Sequence, residues 1–250
     1  GLTEDDIFRD YYSLRGFLDQ SFNQLENIMV MDNWENGRAF VGLFADEMAT
    51  TDNSSAVFTL HSGNWLSNAK SNTTFEIGNG GSTAISRSYK ALRINNRIIN
   101  DIDKAPLTVE QRNEILGQAY FYRSWFYFQL IKRYGGMPII DKVFEGGDDD
   151  IPRMTYHESH DWMMGDIQKA IEMLPDSWDD PDYGRPTKIA AMAFKEWAQL
   201  FDASPLMQND LNSTEDKGYD TERAKLAAKS AYDVIRYMDG SKSAPYPYGF

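Results

Sequence analysis

A mostly helical fold is what this sequence predicts: TPR-like stacked helix pairs, long loops and few short strands. Three observations carry that prediction. Apolar residues recur at helical spacing through most of the chain. Strand signals are sparse. Alanines also recur at one-turn spacing on two consecutive helical segments, where small side chains let two helices approach closely.

The elements follow in chain order. Helical patterning is weak over 4–29 and 37–49. Residues 50–83 differ in kind. They are rich in Asn, Ser, Thr and Gly, hold Trp65 and lack helical period. A long ordered loop is expected there, which in a compact domain usually signals function or disorder. Val57-Phe58-Thr59-Leu60, within it, is a short extended candidate. From Ile85 the residues Tyr89, Leu92, Asn96, Ile99 and Asp103 step by helical intervals, apolar except at Asn96 and the last position. A second clear helix is expected from about 110 to 133. Seven of the nine residues from Tyr120 to Phe128 are aromatic, so this helix must be covered on every side. Gly135-Gly136-Met137-Pro138 ends it, glycine supplying the cap and proline blocking continuation. Pro138-Ile139-Ile140 is the second short extended candidate. A third helix reads from about 158 to 174, with stripe Met163, Ile167, Ala170 and Leu174, stopped by Pro175. A fourth starts at Arg185-Pro186-Thr187 and ends before Ser204-Pro205. A fifth runs from about 221 to 238, with Ala224, Ala228, Ala231, Ile235 and Met238 on one face. Ala190, Ala191, Ala193 and Ala198 are expected to face Ala224, Ala227, Ala228 and Ala231. Leu116-Gly117-x-x-Tyr120 matches one piece of the tetratricopeptide pattern, although the repeat tryptophan is missing.

Composition narrows the function. The 250 residues carry 38 Asp plus Glu against 25 Lys plus Arg, a formal charge of −13. That sign disfavours nucleic acid and anionic membrane surfaces as partners. There is no cysteine, hence no disulfide, thiol nucleophile or cysteine metal site. No run of 18 apolar residues offers a membrane span. The start at Gly1-Leu2-Thr3, without Met, reads as processed or trimmed. No linker stands out, so one domain over 1–250 is expected.

The chemistry-bearing residues are few. Trp34, Trp65 and Trp178 lie in polar loops; Trp125, Trp162 and Trp197 fall within helices. A loop tryptophan beside Asn or Asp suits a sugar: the ring stacks on the apolar face of a pyranose while amides and carboxylates bond its hydroxyls. Asn33-Trp34-Glu35-Asn36 and Asn64-Trp65-x-x-Asn68 have that make-up. A loop tryptophan can also serve only to anchor its loop on the body. Arg123, amid the aromatic helix, must be buried and paired, with Asp101, Glu114 or Asp166 as candidates. Asn96 needs hydrogen-bond partners and is expected to tie neighbouring helices. His157-Glu158-Ser159-His160 is not a metalloprotease motif; Glu158 reads as a first-turn carboxylate favoured by the helix dipole. The acidic loops at Asp148-Asp149-Asp150 and Asp179-Asp180-Pro181-Asp182 lack calcium-loop spacing. No phosphate loop, nucleophile elbow or dinucleotide fingerprint is present, so neither a cofactor nor a metal is expected. Abundant carboxylates put some pair at glycosidase spacing by chance, which is thin support for catalysis.

Taken together, several motifs resemble one family. Glu114 through Ser124, then Tyr127-Phe128-x-Leu130-Ile131 and Tyr134-Gly135-Gly136-x-Pro138-Ile139-Ile140, resemble the SusD/RagB family of surface lipoproteins of Bacteroidota. Tyr89-Lys90-Ala91-Leu92, Asn95-Asn96 and Ile98-Ile99 resemble its Asn-bearing helix. Arg153-x-Thr155, Glu158, Asp161, Asp166-Ile167, Leu174-Pro175, Gly184-Arg185-x-Thr187-Lys188-x-Ala190-Ala191 and Ala203-Ser204-Pro205-Leu206 continue the likeness, which covers about 5–240. The family's lipidated cysteine is absent, and family members run to about double this length, so the chain resembles the amino-terminal half. The resemblance implies a non-catalytic glycan-binding lipoprotein, lipid-anchored at the outer-membrane surface and seated on a SusC-like TonB-dependent transporter that imports the captured oligosaccharide. From composition and loop position Trp65 and Trp34 are the expected stacking platforms, and Asn64, Asn68 and Asn72 the polar contacts; the loop of Trp65 also falls where members of the family that the chain resembles often build the site. Two other readings remain: a peptide- or protein-binding TPR-like scaffold, as in RagB-like members, and an α-helical glycosidase.

Overall fold

The computed structural model describes residues 3–25, 51, 84–144, 146–147, 150–210 and 217–240. The chain divides into two units, one of residues 1–22 and 91–250 and one of residues 23–90. Seven α-helices lie among the described residues, with no strand: α1 (Glu4–Ile7), α2 (Tyr11–Phe22), α3 (Ala84–Asp101), α4 (Val109–Tyr134), α5 (Tyr156–Met173), α6 (Lys188–Asp202) and α7 (Thr221–Asp239). Of the second unit, only 23–25, 51 and the first turns of α3 are described.

The helix starts are written in the local sequence. Thr3, Thr108 and Thr155 each accept a bond from the amide three residues on, while Asp6, Gln111 and Glu158 reach back to the cap's own N–H. These reciprocal boxes satisfy amides that have no partner inside the helix. Glu158 is thus a capping residue, in keeping with the first-turn role read from sequence. Thr187 caps α6, and Asp220 caps α7 through the amides of Glu222 and Arg223. The weakly patterned amino-terminal stretch breaks at 8–10 into α1 and α2, where Asp10 accepts from the Ser13 amide at 2.8 Å. Gly135 ends α4 with φ 75°.

Sequential helices pack on one another, α4 on α5, α5 on α6 and α6 on α7, with α2 also against α4. This nearest-neighbour order is that of stacked helix pairs. Tyr122, Phe126, Tyr127 and Phe128 of α4 are buried together with Leu14 and Leu18 of α2 and Met163 and Ile167 of α5. Aromatic rings also join α4 to α6: Phe128 meets Phe194, Trp197 and Phe201 edge-on, with centroids 4.9 to 5.7 Å apart. Edge-to-face pairs of this kind add to the burial of their area.

Two glycines mark close approaches. A Cβ on Gly117 would meet Leu174 at 3.0 Å, so the bare backbone lets the end of α5 pack on α4. A Cβ on Gly136 would lie 1.9 Å from the Met154 carbonyl oxygen, inside van der Waals contact, so the turn after α4 presses on the chain entering α5.

The extended candidate Pro138-Ile139-Ile140 forms no strand. Its polar groups are met by side chains instead. The Ile140 amide donates to the Tyr127 hydroxyl at 2.5 Å, and the Ile140 carbonyl accepts from Asn96 at 2.8 Å. The other candidate, Val57-Phe58-Thr59-Leu60, lies outside the described residues.

The alanine stripe is only partly paired. Ala191 and Ala198 of α6 and Ala227 of α7 are buried, whereas Ala193 and Ala228 are exposed. Ile235, expected on the same apolar face, is 59% exposed. The covered face of α7 instead runs through Ala227, Ser230 and Arg236.

Candidate functional site

Trp34, Trp65, Asn64, Asn68 and Asn72, the residues expected to hold a ligand, all lie outside the described residues. What the structure does show is the body beside which those segments run in the sequence, and the surfaces that body offers.

Three polar networks hold the body. In the first, Arg123 of α4 is 4% exposed and Asp166 of α5 is 3% exposed. The guanidinium grips the carboxylate with two bonds of 2.5 and 2.9 Å. Its third side donates to Asn96 Oδ1 at 3.0 Å, and Asn96 Nδ2 donates on to the Ile140 carbonyl. The cation also sits over the rings of Tyr120 and Trp162, at 5.5 and 5.1 Å. Of the three carboxylates considered from sequence, Asp166 is the partner. Asn96 does tie helices together, joining α3 to α4 and to the segment after it.

The second network joins α5, α6 and α7. Asp202, buried at the end of α6, accepts from Arg223 at 2.6 Å and lies 2.8 Å from His157 Nδ1. Arg223 also forks onto Asp161 with bonds of 3.0 and 3.1 Å. The His160 hydrogen bond, and then Arg223, hold the Asp161 carboxyl below the usual carboxylate range. His157 and His160 therefore face carboxylates in an ion-pair network. No group of three or more His, Cys, Asp or Glu among the described residues could hold a metal.

The third network fixes the loop before α6. Arg185 forks onto Asp19 of α2 at 2.7 and 3.0 Å and reaches Gln118 of α4 at 3.1 Å. Trp178, the third loop tryptophan, packs against Ala170, Leu174 and Ala191, and its indole donates to the Pro186 carbonyl at 2.8 Å. These contacts anchor its loop on the body.

Among the described residues, two grooves on the outer helices stand out. One, about 410 Å³, lies between α6 and α7 and is mostly apolar, with Leu200, Ala224, Ala228 and Ala231 on its walls and Glu196 and Tyr219 at its edges. The other, about 220 Å³, is polar, where α5, α6 and α7 meet around Lys195. Sequence reasoning missed Asp202, Arg223 and Lys195. Each is a charged residue on a helix, and such a charge usually reads as solvated surface.

Comparison with known proteins points one way. A family model described as SusD-like, starch-binding and associating with the outer membrane matches residues 13–196, well over half of the chain. A SusD-like protein of Formosa agariphila is 31% identical over 86 residues, which cover 33% of this chain and 16% of that protein. A solved SusD-like protein from Bacteroides fragilis superposes with a TM-score of 0.61 at 21% identity, covering 94% of this chain and 40% of that one. A solved laminarin-binding SusD-like protein gives a TM-score of 0.62 at 16% identity, covering 96% and 45%. At these identities the superpositions speak for the fold alone. The chain spans less than half the length of these relatives. The family model and the shared helical fold agree with the motif order read from sequence: the chain belongs to the SusD-like family.

Proposed function

We propose that this protein is a non-catalytic glycan-binding lipoprotein of the cell surface, which captures oligosaccharides for import through a SusC-like TonB-dependent outer-membrane transporter. The family match over residues 13–196, with its starch-binding and outer-membrane description, carries the proposal. The laminarin-binding SusD-like protein adds support, since it shares this fold. No helix among the described residues is long and apolar enough to cross a membrane. Residues 1–250 act in this reading as one SusD-like helical domain. Binding is borne by Trp65 and Trp34 as stacking platforms and by Asn64, Asn68 and Asn72 as hydrogen-bonding contacts.

One observation favours the peptide- or protein-binding alternative: the open apolar groove between α6 and α7. The two readings separate in a single experiment. Titration of the protein with a glycan panel and a peptide panel, with the Trp65→Ala variant beside it, is expected to give saturable glycan binding that is sharply weakened in the variant. Saturable binding to peptides alone would favour the alternative. Full glycan binding by the variant would remove Trp65 from the site.

A further inference from the structure

The polar groove among α5, α6 and α7 holds an arrangement that glycan capture does not use. Lys195 projects from α6 between Gln168 and Ile171 of α5 and Lys229, Ser230 and Asp233 of α7, with Met192 of its own helix closing the wall. Its Nζ donates to Gln168 Oε1 at 3.0 Å, and Gln168 is itself oriented by its bond to Glu172. Lys229 is held by Asp233 at 3.1 Å, so a second ammonium is fixed on the same groove. The groove is about 220 Å³, room for a molecule of a few heavy atoms beside the amine.

Both features favour the uncharged amine. Partial burial removes water that would solvate the ammonium, and Lys229 adds like charge. Together they hold Lys195 below the usual lysine range, against the opposing pull of Asp233 and Glu172. A lysine desolvated in a pocket beside another cation is the arrangement that makes an amine nucleophilic towards carbonyl groups. Other lysines differ: Lys225 and Lys169 have half-exposed side chains.

We propose that Lys195 is a carbonyl-reactive amine, a modification site for small aldehydes including the open-chain form of short aldoses. The ammonium first gives its proton to solvent. The Nζ lone pair then attacks the carbonyl carbon, and the carbonyl π pair moves to oxygen. Nζ loses its remaining protons as the oxygen takes two and leaves as water, giving the imine. One amine and one aldehyde yield one imine and one water, with no oxidant or reductant. Ile171 and Met192 border the carbon chain, and Ser230 and Gln168 supply polar groups for hydroxyls.

The test is competitive labelling of the intact protein at neutral pH with glyceraldehyde and, in parallel, propanal, each trapped by cyanoborohydride. Peptide mass mapping at low conversion reads the relative rates. Lys195 is expected to label severalfold faster than Lys225 and Lys169 in the folded protein, since each unit of lowered pKa gives about tenfold more free amine. The lead is expected to vanish in urea and to shrink in Lys229→Met. Preference for glyceraldehyde over propanal would mark sugar aldehydes as the source, and the reverse preference apolar ones. Labelling of Lys195 no faster than the exposed lysines would overturn the proposal, as would a lead that survives unfolding or is untouched in Lys229→Met.

Discussion

Asp166→Ala puts the framework to a quantitative test. The substitution leaves Arg123 as an unpaired cation at 4% exposure, between the rings of Tyr120 and Trp162. Among the described residues, Asn96 and the Asp141 carbonyl, at 3.0 and 3.4 Å, remain to accept from it. Removing one partner of a buried pair costs about 3–5 kcal/mol, against a total stability of about 5–15 kcal/mol. For a chain of this size each kcal/mol moves Tm by about 2–4 °C, so a fall of roughly 6–20 °C is expected. The pair itself is not the source of that number; the stranded charge is. The double variant Arg123→Met with Asp166→Leu should therefore regain most of the loss, keeping the cost of the Asn96 oxygen and the Asp141 carbonyl without this donor. Urea unfolding followed by circular dichroism reads both variants, with an unchanged slope on denaturant if only stability has moved. A loss below about 1 kcal/mol for Asp166→Ala would refute the reasoning, because it would mean that water reaches the guanidinium.

Three further outcomes are expected. Gly136→Ala should cost about 2 kcal/mol or more, at the upper part of the overpacking range, because its Cβ meets backbone at Met154 rather than a side chain that can turn away; thermal melting reads it. Trp65→Ala should weaken glycan binding by about 2 kcal/mol, roughly 30-fold in Kd, with little change in Tm, read by titration and melting together. Asp161, held low by His160 and Arg223, contributes stability above its unfolded value of about 3.9 that is lost as pH falls towards the folded value. Asp161→Asn should accordingly flatten the decline in stability below about pH 4, measured as urea midpoints against pH. The effect should be modest, because the side chain is 61% exposed.

Much of this architecture was legible because it is local. Helical period, with the stops at Gly135-Gly136 and Pro175 and the start at Pro186, places α4, α5 and α6 to within a few residues. The sequence also required that Arg123 be paired and Asn96 be satisfied, since buried polar groups cannot be left alone. Choosing Asp166 over Asp101 and Glu114 needed the packing of α4 on α5, which no spacing rule supplies. The Asp202–Arg223–His157 network was missed for the same reason: its members come from three helices, and each alone reads as surface charge. The α7 stripe misled in the other direction. Ala224, Ala228, Ala231 and Ile235 share a face by period, but period alone does not say whether a neighbour covers that face. Trp178 illustrates the two uses of a loop tryptophan, since position in a polar loop leaves stacking and anchoring open and the structure shows an anchor.

The central claim is glycan capture without chemistry. Isothermal titration of the protein against polysaccharides, oligosaccharides and peptides, with chromatography of each glycan after the run, addresses it most directly. The account predicts saturable binding to at least one glycan, recovered at its original length. Glycan recovered shortened, or binding to peptides with none to any sugar, would contradict it.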